Sequence, residues 1–126
     1  MDRAVAKYLS SRACVAPVHG KLHPLEVAAV IVIPAYCESG HLPLTIASLE
    51  ALPTSDLARL WVLIVVNNPS PPEETEAVSY RVWREAREDN LALLAWLAER
   101  SVTSALHLAW IDAASSGNEL SGKGGV

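Results

Sequence analysis

Two stretches of this chain are apolar with no polar alternation: "VAAVIVI" at residues 27–33 and "LWVLIVV" at residues 60–66. A strand with one wet face alternates apolar and polar residues. A β-branched run without alternation suits a strand buried on both faces, as in a parallel sheet. A third run, "ALHLAWI" at residues 105–111, reads the same way. The segments between them carry helical signals. From His41 to Leu52, Pro43 fits the first turn, and Leu42, Ile46, Leu49 and Leu52 fall on one stripe. Pro53 stops that helix, and "TSD" reads as a turn. Residues 73–100 are helical in composition, with acids first and Arg100 last, as the helix dipole favours. Asp89 and Asn90 are the candidate break in that helix.

The order is therefore β-α-β-α-β over residues 27–112. It predicts an α/β fold: three layers, with a parallel, Rossmann-like sheet and right-handed crossovers. Either the first or the second of the three strands is expected at the centre. Residues 1–26 read as a lead-in, with a short amphipathic helix over 1–12 (Val5, Tyr8 and Leu9 on one side). An irregular stretch, "APVHGKLHP", comes after it. Residues 113–126 read as loop. Three strands and two helices make about half of a doubly wound domain, so the expectation is a single domain truncated from a larger one.

Composition narrows the classes. With 126 residues, 51% hydrophobic and 19% charged, the chain can bury a core. A net charge of −4 argues against a general nucleic-acid binder. The longest near-continuous apolar stretch, 27–36, is far short of the roughly 20 residues that cross a bilayer. The N-terminus is too broken by charge for a signal peptide. Cys14 and Cys37 match no metal or redox spacing, so a cytoplasmic protein with free thiols is expected. The four histidines share no metal-binding spacing, the four tryptophans read as core, and "RVWREAREDN" reads as a solvated helix face.

Pro34 interrupts the first run. A proline cannot donate to a sheet ladder, so it is expected to end that strand. Beyond it the chain turns polar at once. Ligands of such sheets sit beyond the carboxyl ends of the strands. Three polar clusters fall there: Tyr36 to Glu38, Asn67 to Ser70, and Asp112 onward. Each also has a plain structural reading, with Tyr36 as a sheet cap, Glu38 as a solvated acid, and the asparagines as turn formers.

"VIVIPAYCESGHLPLTIASLEAL" resembles the opening of family 2 glycosyltransferases, whose first strand ends in a Pro-Ala-Tyr-Asn-Glu type motif. Here Pro34, Ala35, Tyr36, Cys37 and Glu38 stand in those places, with cysteine for asparagine. "LWVLIVVNNPS" is similar to the family's second strand, which commonly ends Val-Val-Asp-Asp-Gly-Ser. Asn67 and Asn68 replace the acids. "GKGGV" resembles the family's Gly-Lys-x-Gly loop. The resemblance covers residues 27–126 and implies the nucleotide-binding half of a GT-A fold. It implies that Ala35 and Tyr36 line the base, that Glu38 faces the ribose, that Asn67 or Asn68 reaches the base edge, and that Lys123 sits near a phosphate, with Pro34 a further nucleotide-binding candidate. Asp112 is the remaining nucleotide-side candidate. The implied donor is a UDP-sugar, the acceptor is unspecified, and a divalent ion (Mn2+ or Mg2+) is expected in the full enzyme. "WIDAAS" holds one acid where the family has Asp-x-Asp, so no metal site or catalytic residue is assigned within this chain, and the fragment is expected to be inactive.

Two rivals stand beside this. "SGKGGV" also looks like the start of the deviant Walker A loop of partitioning-type ATPases, although its second lysine is missing and it comes after the third strand rather than the first. The other rival is a non-catalytic nucleotide-binding or interaction module.

Overall fold

The computed structural model describes residues 17–20, 28–72 and 77–115. The elements in chain order are β1 (Val18–Gly20), β2 (Ala29–Ala35), α1 (Leu42–Glu50), α2 (Thr54–Leu57), β3 (Leu60–Asn67), α3 (Ala77–Thr103) and β4 (His107–Ala113). The three apolar runs form β2, β3 and β4. They are parallel neighbours with β3 in the middle, one of the two expected orders. The fold is α/β, but its sheet is mixed. β1 joins as a fourth strand, antiparallel to β4. It arises from "VHG", within the stretch expected to be irregular. Gly20 is required there: its φ is +99°, and an added Cβ would lie 2.5 Å from the Leu108 carbonyl oxygen.

The expected third layer is absent among the described residues. Strand order runs β2 to β3 to β4 in one direction. Two right-handed crossovers taken in one direction place both helices on the same face. Leu42 and Ile46 of α1 and Leu93 and Leu97 of α3 accordingly share one core with Val62, Ile64, Val66 and Leu108. The other face is more open. Val30 and Val32 are 49% and 56% exposed, and Trp61, Leu63 and Val65 are half-buried. The expectation that β2 is buried on both faces is thus corrected: it is an edge strand with one open face. That position also corrects the role of Pro34. The strand continues through it, with Pro34 opposite Val65 and Ala35 opposite Val66. An edge strand needs donors along one side only, so a proline is tolerated.

Three smaller expectations shift. The "TSD" turn is the short helix α2. Leu52 lies beyond α1 and is exposed, so the α1 stripe is shorter than expected. The long helix is unbroken at Asp89 and Asn90, because their side chains bond to loops elsewhere and leave the helix backbone alone. The expected start of that helix, residues 73–76, lies outside the described residues, as does the 1–12 helix. No helix among the described residues is long and apolar enough to cross a membrane.

The ends of α1 and α3 are joined by charge. The Glu50 carboxylate accepts from Arg100 Nε (3.0 Å), from Arg100 Nη2 and from Ser104 Oγ (2.6 Å). Ser104 Oγ in turn accepts from the Leu106 backbone N–H at 3.1 Å, which fixes the entry to β4. The Arg100 guanidinium holds the Glu50 carboxyl below its ordinary value, with burial opposing and Ser104 helping. A group whose folded pKa is depressed stabilises the fold above its unfolded pKa. That contribution is lost as pH falls through the depressed value. Unfolding free energy should therefore drop in the acid range below about pH 4.3, and Glu50→Gln should flatten that limb. Urea midpoints at several acid pH values check this. Arg100 is partly solvated, so screening keeps the effect modest.

Candidate functional site

β2, β3 and β4 end level with one another. Ala35 pairs with Val66, Val66 with Asp112, and Asn67 with Ala113. The chain leaves β2 through Tyr36 and Cys37. Cys37 takes a φ of +55°, a left-handed conformation uncommon for a residue other than glycine, asparagine or aspartate. Asparagine, which the resemblance puts at this position, adopts it more readily. The turn then closes as the Glu38 carbonyl accepts from the His41 and Leu42 amides, which starts α1. The chain leaves β3 through Asn67, Asn68 and Pro69. The Asn68 N–H donates to the Ala113 carbonyl (3.1 Å), and Trp83 Nε1 of α3 donates to the Pro69 carbonyl (2.6 Å).

These two exits and the first turns of α3 enclose an open groove of about 390 Å³. Its walls include Tyr36, Pro69, Pro72, Val78, Val82 and Trp83. Tyr36 is 47% exposed, and Val78 and Val82 are more so. Ligand pockets span about 300–1,000 Å³, so this volume suits one planar ring with part of a sugar. The described lining residues carry no formal charge. The nearby cation is Arg87, whose guanidinium lies 5.3 Å from the Trp83 ring centre.

The sequence candidates take different positions. Tyr36 lines the groove. Ala35 is buried beneath it, and Pro34 is exposed on the β2 edge. Glu38 is half-buried in the turn and is not among the lining residues. Asn67 and Asn68 are buried, and the Asn68 side chain is turned inward: Oδ1 accepts from Asn90 at 2.8 Å. Asp112 Oδ1 accepts from the Ala114 and Ser115 amides, both at 2.9 Å, closing the turn after β4. Lys123 lies outside the described residues. Val78 and Val82 carry no site signal in the sequence, Trp83 reads there as core, and Asn90 reads as a helix break. A signal for Asn90 is nonetheless present. The buried stripe runs Trp83, Ala86, Asn90, Leu93, Leu97 and Ser101, and Asn90 is the polar residue set among its apolar members while Ser101 lies at its end.

The described lining residues offer packing and hydrogen-bonding contacts. Partial burial first, and then the Asp89 carboxylate, push the Cys37 thiol above its ordinary pKa. The divalent ion implied by the resemblance finds no fitting donor set among the described residues. Asp112 caps its own turn, and no group of three or more His, Cys, Asp or Glu side chains comes together. No step is derived through such an ion. An aromatic ring beside prolines and valines can pack on a flat heterocycle, and Ser79 adds a hydroxyl to the lining. Searches of family models, curated proteins and solved structures find no match to this chain.

Proposed function

We propose that this chain is the nucleotide-binding portion of a family 2-like glycosyltransferase, and that the Tyr36 groove receives the base of a UDP-sugar. The observation that carries the reading is the position of the groove. It lies beyond the carboxyl ends of the parallel strands β2 and β3, with an exposed tyrosine on one wall. Open α/β sheets hold their ligands at that end. Sugar transfer to an acceptor belongs to this proposal, and the 126-residue chain is expected to bind donor without turning it over.

The affinity can be bounded from the contacts. A stacked base contributes about 1–3 kcal/mol, and association costs at least about 4 kcal/mol. With the Asn68 side chain engaged internally and Asn67 buried, few further contacts remain, so a dissociation constant of the order of millimolar or weaker is expected. Saturation-transfer NMR with UDP tests this. The uracil protons should receive more saturation than the ribose protons. Equal transfer along the nucleotide, or none, would remove the base-in-groove reading.

A specific observation favours a second reading. The lining, uncharged among the described residues, also fits a non-catalytic module that holds a neutral ring. In that case uridine and UDP should bind alike, and mixing any nucleotide-sugar with Mn2+ should give no hydrolysis.

A further inference from the structure

We propose that Asn90 is a positioning residue: its single carboxamide sets the two groove-forming loops relative to one another. The side chain is fully buried in the middle of α3, where asparagine is a poor helix former. A buried amide is costly unless its bonds are made. Its side-chain hydrogen bonds go to the strand exits. Oδ1 accepts from the Cys37 N–H at 3.0 Å. Nδ2 donates to the Asn67 carbonyl at 3.1 Å and to Asn68 Oδ1 at 2.8 Å.

One planar group therefore ties the β2 exit to the β3 exit. The groove walls are the immediate neighbours of the tied residues. Tyr36 precedes Cys37, and Pro69 comes directly after Asn68. The bond to Cys37 also holds the left-handed backbone that turns the chain after Tyr36. Asp89 adds a second tie to the first loop alone, because its carboxylate accepts from both the N–H and the hydroxyl of Ser39. α3 thus carries an ordered pair: Asp89 holds one loop, and Asn90 holds both. The inference deepens the nucleotide reading and rests on it for its ligand, since Asn90 would act on the ligand only through Tyr36 and Pro69.

The test uses the full chain, first without ligand. Amide shifts and hydrogen exchange are compared for the wild type, Asn90→Leu, Asn90→Asp and Asp89→Ala. Asn90→Leu keeps the branched side-chain shape, though bulkier, and removes every carboxamide bond; it should disturb the amides of residues 36–39 and 67–70 together, with exchange at Cys37 faster by at least about tenfold. Asn90→Asp keeps an acceptor for Cys37 but not the two donors. It should preserve slow exchange at Cys37 while residues 67–70 still shift. Asp89→Ala should free Ser39 and leave 67–70 in place. If Asn90→Leu fails to fold, Asn90→Asp decides, and unmoved amides at residues 67–70 in that variant would overturn the role of Asn90. A folded Asn90→Leu with both loops unmoved, or an Asn90→Asp that loses Cys37 protection as fully as Asn90→Leu, would also overturn it. In a second arm, UDP affinity should fall by about tenfold or more in Asn90→Leu. If the wild type binds no UDP, the nucleotide reading fails, and the loop data alone judge the role of Asn90.

Discussion

Ile64→Ala should lower the unfolding free energy by about 2–5 kcal/mol, the range for truncating a buried aliphatic side chain where the cavity cannot collapse. Ile64 sits at the middle of the central strand and is fully buried. It faces the single core shared by α1, α3 and the sheet. Its strand partners are Ile33 on one side and Trp110 on the other, so neighbours fixed in the sheet limit relaxation. A domain of this kind holds only about 5–15 kcal/mol in total, so a loss at the upper end would leave it partly unfolded at room temperature. Val32→Ala is the matched control. Val32 is one strand over on the open face and 56% exposed, and its truncation should cost within about 0.5 kcal/mol. Urea unfolding of both variants reads the difference. Comparable costs would mean that the open face is covered in solution and that the one-sided core is wrong.

Tyr36→Ala should abolish detectable nucleotide binding and leave the fold intact. The side chain stands beyond the last sheet pairing and is half exposed, so little core packing depends on it. Losing a stacked base contact of about 1–3 kcal/mol weakens binding by roughly five- to more than a hundredfold. From a millimolar starting point, that places the complex out of reach of titration. Tyr36→Phe separates ring from hydroxyl. It should bind nearly as well as the wild type, because the ring face makes the contact. A drop as large with phenylalanine would mean that the hydroxyl is the recognised group. Unfolding midpoints measured alongside guard against a trivial loss of structure.

The sequence is informative where a residue's neighbours along the chain determine its state. The β-branched runs at 27–33 and 60–66 become β2 and β3 because long apolar stretches of that length have little other outcome. Pro43 begins α1 as its fixed φ suggests. Features that depend on distant pairing stay hidden. β2 reads like an interior strand, and only the sheet order reveals it as an edge with Val30 and Val32 open. "VHG" is too short for a periodic signal, and its strand character comes wholly from pairing with β4.

The site shows the same division. Tyr36 is legible because an aromatic at a strand exit has few places to go. Asn67 and Asn68 are legible as polar, but their direction is not. Asn68 is drawn inward because Asn90, 22 positions away in sequence, donates to its Oδ1, and the same Asn90 amide reaches the backbone carbonyl of Asn67. Val78 and Val82 look like part of a helical stripe, and only the fold places them across from Tyr36.

The most direct measurement is a 15N-HSQC titration of the wild-type chain with UDP up to several millimolar. Base binding in the groove predicts joint movement of amides at Tyr36 to Glu38, Ser70, and Val78 to Trp83, with the shifts erased by Tyr36→Ala. Movement confined to residues 121–126 would instead point to a phosphate-binding loop of the ATPase kind. No movement anywhere at those concentrations would contradict a preformed nucleotide site on these strand ends.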